Sequence, residues 1–177
     1  MITNFVTAME GQIDEKKIEP LYLRASNILV RPGNPERIRG LRDLLLPGHR
    51  VVVVQGSGQA GLWEDMAGRT GDISMVRSLR KNIVKYAASS AEAKDAWIDD
   101  PTIDAWIIWG IWEKAKPKIA DSIAVEPQEP QLRIYRDAGA ALTVRGTAKA
   151  ESARFVSFLR SPAGAKIFAK WGWITPR

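Results

Sequence analysis

Val51-Val52-Val53-Val54-Gln55-Gly56-Ser57-Gly58-Gln59-Ala60-Gly61 reads as a buried strand, a glycine turn and the opening of a helix. Four consecutive β-branched residues, apolar on both faces, describe an interior strand of a parallel sheet. The core of the stretch, GSGQAG, spells G-x-G-x-x-G. That string is the dinucleotide fingerprint in one context and a general anion cradle in another. A dinucleotide site expects an acidic residue about 20 positions on, at the end of the next strand. The next strand, Ile83–Ala87, runs into Ala88-Ser89-Ser90 with no acid. Lys85 could serve an NADP site, but no catalytic partner accompanies it. Backbone N–H groups at a helix N-terminus, with the Ser57 hydroxyl and the Gln59 amide, suit a small anion without charged side chains. A third reading has the glycines only letting the turn pass close to a neighbouring strand.

Outward from this loop the chain alternates. Ile2, Phe5, Val6 and Met9 sit at helical spacing, and Leu21–Arg31 has β character. Asn34-Pro35 suits a helix cap with proline at the first position, predicting a helix with Ile38, Leu41 and Leu45 on one face and Pro47-Gly48 as its stop. After the loop, Leu62, Trp63 and Met66 continue a short helix. A second helix is expected over Asp72–Lys81, with Ile73, Val76, Leu79 and Ile83 on its apolar face. Ser89-Ser90-Ala91-Glu92 resembles a capping box for the helix carrying Trp97. Ile103–Trp109 is a strong strand, with Trp106 and Ile108 on one face and Ile107 and Trp109 on the other. Ile111-Trp112 starts a helix whose Lys114, Lys116 and Lys118 form an exposed face, and Asp121–Glu126 gives a further strand. Pro127–Pro130 is a linker. Leu132–Tyr135 and Ala140–Val144 read as strands interrupted by Asp137-Ala138-Gly139. Two closing helices follow, one with Phe155, Phe158 and Leu159, the other capped by Ser161-Pro162. The pattern is α/β with a mainly parallel sheet.

The 177 residues, 45% of them hydrophobic, suffice for a sizeable core. A net charge of +6 and a pI near 9.7 suit a receptor for small anions. No basic arm with interleaved aromatics points to nucleic acid. There is no cysteine, which removes thiol catalysis, disulfides and Cys-based zinc sites. The single histidine, His49, follows a Pro-Gly turn where a solvated side chain is expected; triad chemistry and His-based metal sites lack partners. Residues 1–20 mix charges with apolar positions and form neither a signal peptide nor a membrane span. Most of the seven tryptophans are expected in the core. Trp109 stands apart, because it ends a strand just before Gly110, and ligands of open α/β sheets bind at the carboxyl ends of strands.

Several separated motifs carry a resemblance. Phe155-Val156-Ser157-Phe158-Leu159-Arg160-Ser161-Pro162-Ala163-Gly164-Ala165-Lys166-Ile167-Phe168 resembles the closing helices of ABC-transporter solute-binding proteins of the molybdate- and sulfate-binding type. Ile28–Pro35 is similar to the first inter-lobe crossing of that family, and Gly40–Val54 to its passage into the second lobe. LYLRASNILVRPGNP, GQAGLWEDMAGR, IDAWIIWGIW and IYRDAGAALT together resemble the accessory colonization factor (AcfC-like) branch of periplasmic binding proteins.

The resemblance implies a periplasmic-binding-protein type II-like α/β fold of two lobes. The second lobe would be complete over 36–128, and the first, from 1–35 plus 129–177, incomplete at its N-terminus. Members carry a secretion signal and a further stretch of strands and helices ahead of the position where this chain begins, so an N-terminally truncated form of a periplasmic parent is expected, with dimerisation or segment exchange through the partial lobe. The implied function is non-catalytic binding of a small anion, a sulfate-like oxyanion or small carboxylate, for an ABC permease or a colonisation system. No cofactor, metal or nucleic acid is implied. By position, Ser57, Gly58 and Gln59 would supply second-lobe donors and Trp109 with Gly110 the strand-end contact. Arg24 with Ser26 would lie at the first crossing, and Tyr135 with Arg136 at the second. Arg24 and Arg136 suit forked recognition of an oxyanion. The rival readings are an NAD(P)-binding enzyme domain built on GSGQAG, and a structural or adhesive protein without a small ligand.

Overall fold

The four valines of β2 (Val51–Val54) are buried on both faces, which is why this strand ends up inside a sheet rather than at its edge. In the computed structural model, residues 2–56, 58–115, 118–124 and 130–176 are described. In chain order these form α1 (Ile2–Ala8), β1 (Glu19–Val30), β2, α2 (Leu62–Ala67), α3 (Ile73–Asn82), β3 (Ile83–Ala87), α4 (Ser90–Asp99), β4 (Ala105–Trp109) and α5 (Ile111–Ala115). β5 (Asp121–Ala124), β6 (Tyr135–Ala140), α6 (Val144–Thr147), α7 (Ala150–Arg160) and α8 (Pro162–Lys170) complete the order. The chain folds as two units, one of Ala25–Tyr135 and the other of Met1–Arg24 with Arg136–Arg177. No helix among the described residues is long and apolar enough to cross a membrane.

In the Ala25–Tyr135 unit the strand order is β3-β2-β4-β1-β5. β2 pairs in parallel with β3 and β4, whereas β1 is antiparallel to both β4 and β5. Four of the five strands therefore run one way, with β1 inserted against them. The alternation read from Ile103–Trp109 holds. Ile107 and Trp109 pack with Trp63, Met66, Met75 and Leu79 on one face of the sheet. Trp106 and Ile108 pack with Trp97, Ala93 and Ile103 on the other. Two dry faces give a three-layer unit, with α2 and α3 on one side and α4 on the other.

Several local expectations need correction. No α-helix follows Asn34-Pro35. Asn34 and Arg37 both adopt positive φ, at 46° and 52°. The Asn34 carboxamide accepts the Ile38 N–H at 3.0 Å and donates to the Ile38 carbonyl at 2.9 Å, so a side chain takes over what a helix would have done with its backbone. Only a 3₁₀ turn, Asp43–Leu45, is helical here, and the buried residues are Ile38, Leu41 and Leu44 rather than Leu45. Buried Asn82, at the end of α3, donates to the Leu44 and Leu46 carbonyls at 2.8 and 2.6 Å, satisfying the turn. The apolar face of α3 is also rotated: Met75 and Leu79 are buried and Ile73 is exposed. Asp137-Ala138-Gly139 do not interrupt a strand but lie inside β6, which pairs with β1. His49 is largely buried with Nδ1 3.6 Å from the Asp104 carboxylate, because the Pro-Gly turn folds it back onto the loop preceding β4. The end of the expected Asp121–Glu126 strand, Lys116 and most of the Pro127–Pro130 linker lie outside the described residues.

Two close approaches organise the strand ends. Arg31, just past β1, fans its guanidinium over the Trp97 ring at 3.8 Å. It donates to the carbonyls of Trp97 (2.9 Å), Asp100 (2.6 Å) and Ile103 (2.7 Å), closing the end of α4. At the other edge, Gly56 leaves β2 so close to the end of β3 that a Cβ there would overlap the Ala88 carbonyl oxygen. A glycine is required at that point by contact, not by φ.

Arg31→Ala should therefore lower stability by about 2–3 kcal/mol, read as a chemical-denaturation midpoint shift, because three carbonyls lose a charged donor. Arg31→Lys should recover less than half of that, since a single ammonium cannot serve three diverging acceptors. A Lys variant as stable as the parent would count against the fork. Gly56→Ala should cost about 1–3 kcal/mol of overpacking at the β2–β3 junction; an unchanged midpoint would show that the two turns do not touch.

Candidate functional site

β2, β3 and β4 run in parallel, so Gly56–Gly61, Ala88–Ser90 and Trp109–Gly110 all emerge at one edge of the sheet. β1 is antiparallel to β4 with Ser26 opposite Trp109, which brings Ser26 and Asn27 to the same edge. Gly58, Gln59, Trp109, Gly110 and Ser26 are thus gathered at one edge by topology alone. This is the carboxyl edge where open α/β sheets bind ligands.

The loop is a folded turn rather than an open string of donors. The Gln59 N–H bonds the Gly56 carbonyl at 3.0 Å, and the Leu62 N–H bonds the Gln59 carbonyl at 3.0 Å. Gly58 and Gly61 have φ of 76° and 74°, so both need glycine's freedom. Gln59 is only 3% exposed. Its Nε2 donates to the Ser90 hydroxyl at 2.6 Å, and its Oε1 has no hydrogen-bond partner among the described residues. Ser57, the expected hydroxyl donor, lies outside the described residues.

The β3 end carries a tie that the sequence did not announce. The Ser89 hydroxyl accepts the Glu92 N–H at 3.2 Å, as a capping box requires. The Glu92 carboxylate accepts the Ala88 N–H at 2.8 Å, one residue earlier than the usual partner, and meets Lys85 Nζ at 2.5 Å. The Lys85 hydrogen bond, followed by that from Ala88, holds the Glu92 carboxyl below the usual carboxylate range. An acid therefore does stand at the end of β3, supplied by α4. It is engaged by Ala88 and by Lys85, the lysine that an NADP site would use. The Ser-x-x-Glu spacing was the available signal; only the parallel pairing of β3 with β2 puts it beside the loop.

Trp109 is 2% exposed and belongs to the core beneath the edge. The Gly110 N–H is bonded to the Ala25 carbonyl at 3.0 Å, and a Cβ on Gly110 would lie 2.8 Å from Asn27 Nδ2. These two residues shape the edge more than they present donors. Ser26 is fully buried; its N–H donates to the Ile134 carbonyl at 2.8 Å and its Oγ accepts the Ile134 N–H at 2.9 Å. That pair of bonds pins the chain just ahead of β6. Tyr135, at the start of β6, is exposed, with the Arg133 guanidinium 5.6 Å from its ring centre.

Arg24 and Arg136 belong to the other unit, on β1 and β6. Burial lowers the Arg24 pKa first, and the neighbouring Arg136 charge lowers it further; Asp137 opposes both. Arg24 also lies 5.7 Å from the centre of the Trp173 ring. Trp173 meets Phe168 edge-on at 5.7 Å, and Phe168 stacks on Tyr22 at 4.3 Å. An aromatic support thus holds Arg24 in place, and Asp137 offsets part of the repulsion between it and Arg136. No group of three or more metal-ligating side chains occurs among the described residues.

Known proteins share this architecture. The family model for bacterial extracellular solute-binding proteins matches residues 1–174. Among solved structures, Peb3 from Campylobacter jejuni is 34% identical with a TM-score of 0.85, over 98% of this chain and 74% of that one. PEB3 with L-phospholactate bound gives the same identity and coverage, with a TM-score of 0.86. The sulfate-binding protein SubI from Mycobacterium tuberculosis H37Rv shares the fold at 22% identity and a TM-score of 0.74, over 97% of this chain and 64% of that one. A search of the curated proteins finds no match. Because the family match takes in residues of both units, the chain belongs to the bacterial extracellular solute-binding protein family.

Proposed function

We propose that the chain binds a small anion without transforming it, as the substrate-binding component of an ABC-type transport or colonisation system whose parent works in the periplasm. The observation that carries this reading is the placement of Arg24 on β1 and Arg136 on β6, two strands that pair, where planar guanidinium groups suit an oxyanion; burial and the Arg136 charge act on Arg24, and Asp137 opposes both. In the Ala25–Tyr135 unit the Gly56–Gly61 loop, with Ser57, Gly58 and Gln59, supplies neutral donors, while Trp109, Gly110 and Ser26 hold the edge in shape. Tyr135 marks the second crossing. Support for an anionic ligand comes from PEB3, whose structure holds L-phospholactate, and from SubI, named for sulfate. The AcfC-like branch and the lobe boundaries 36–128 and 1–35 plus 129–177 are part of this proposal. A dinucleotide enzyme is disfavoured by Glu92 and Lys85 being committed to each other.

Association through an exposed apolar surface belongs to the same reading. In the unit of Met1–Arg24 and Arg136–Arg177, Tyr22 is the only buried hydrophobic side chain among the described residues, while Leu23, Phe155, Phe158, Ile167, Trp171 and Ile174 are exposed. A second copy covering these groups would remove their apolar area from water.

In a thermal-shift panel, sulfate, phosphate and small carboxylates should stabilise the protein, by about 2.7 kcal/mol at a hundredfold excess over Kd, and nucleotides should not. Calorimetry on Arg24→Ala and Arg136→Ala should show anion affinity falling about tenfold or more each, the scale of one hydrogen bond to a charge. Stabilisation by NADP(H) and not by simple anions would overturn the receptor reading; indifference to both would favour the adhesive one. Light scattering should give a dimer mass that Phe158→Asp with Ile167→Asp reduces to a monomer. A monomeric parent would remove the association.

A further inference from the structure

The chain leaves α8 through a turn that aims one tryptophan. Gly172 has φ of 81°, a left-handed position that glycine takes without strain. The Gly172 N–H donates to the Ala169 carbonyl at 3.0 Å and the Trp173 N–H to the Phe168 carbonyl at 3.2 Å, the paired bonds of a Schellman ending. Such an ending folds the residue after the glycine back against the helix, and Trp173 meets Phe168 edge-on with ring centres 5.7 Å apart. Ile174 then exchanges both backbone hydrogen bonds with Leu23, at 2.7 and 3.0 Å, which clips the segment to β1. Tyr22 and Arg24 flank that clip on one face of the strand. Tyr22 stacks on Phe168 at 4.3 Å, and the Arg24 guanidinium lies 5.7 Å from the centre of the Trp173 ring. Two residues of one strand face thus rest on two rings that the turn has already joined. A ring steadies a guanidinium without taking its N–H donors or cancelling its charge, as a carboxylate would.

Resting on the anion-binding reading above, we infer that Trp173 is the positioning residue of Arg24, so that the segment Trp171–Ile174 belongs to the anion site. The ligand need not touch the ring. Arginine carries a large side-chain entropy, and one that must find its pose on binding gives that freedom up at the expense of affinity. An arginine already held against Trp173 has less to lose. The ring therefore acts on the anion through Arg24 alone, and the Gly172 turn with the Leu23–Ile174 clip fixes where the ring stands.

Sulfate and acetate serve as probes, followed by calorimetry on the full chain. Trp173→Leu keeps apolar bulk against Phe168 but removes the ring, and should weaken binding about fivefold, the scale of one cation–ring contact. Trp173→Phe, which keeps a ring, should stay within about twofold of the parent. In an Arg24→Ala background, Trp173→Leu should change affinity by less than about twofold, because the arginine through which the ring acts is gone. Tryptophan emission gives a readout that a merely structural role would not move. The change that the anion produces in the parent should be mostly lost in Trp173→Phe, although binding persists. Parent-like binding by Trp173→Leu, or the same loss with and without Arg24, overturns the inference and leaves the anion reading standing. An emission change that survives in Trp173→Phe, or is absent from the parent, does the same, and decides the matter even if Trp173→Leu fails to fold. A parent that binds neither probe overturns both.

Discussion

Burial of β2 on both faces is the constraint on which the larger unit depends. Val51–Val54 can be dry on both sides only if strands flank them and helices cover each face. Parallel neighbours follow from the intervening helices, and with them comes a common carboxyl edge. The loop after β2, the turn after β3 and the glycine after β4 are then neighbours whatever their own sequences say. The shared carboxyl edge is a consequence of satisfying four valines.

The glycines of GSGQAG have different tasks within that geometry. Gly56 allows one backbone to lie against another, at the Ala88 carbonyl, whereas Gly58 and Gly61 supply positive φ. The close-contact reading and the anion-cradle reading are thus compatible, because the contact that seats the loop on β3 is also what brings Gln59 to Ser90. What speaks against the dinucleotide reading is a neighbouring side chain, not the loop. Glu92 takes the place at the end of β3 and spends its carboxylate on Lys85 and the Ala88 N–H.

Much of the candidate site was legible because it sits on strand ends, and strands here are strongly patterned. The alternation in Ala105–Trp109 correctly separated Trp106 from Trp109 across the sheet. What misled was local chemistry with two outcomes. Asn34-Pro35 looks like a helix start, but the Asn34 side chain closes on Ile38 and a helix never forms. Asp137-Ala138-Gly139 looks like a break, yet pairing with β1 carries a strand through it. In the first case one side chain outcompeted the backbone, and in the second a distant strand did what no local propensity could.

The sequence alone determined most of the alternation of strands and helices and the place of the glycine turn, because hydrophobic periodicity and glycine placement are local properties of the chain, and its separated motifs carried the resemblance to the family. Tertiary structure alone decided which of the named residues present chemistry. Ser26 and Gly110 turn out to bond Ile134 and Ala25, Trp109 enters the core, and Gln59 spends its Nε2 on a serine 31 positions away. Hydrogen-bond satisfaction in a buried edge is settled by whichever groups the sheet brings together, and no spacing along the chain records that.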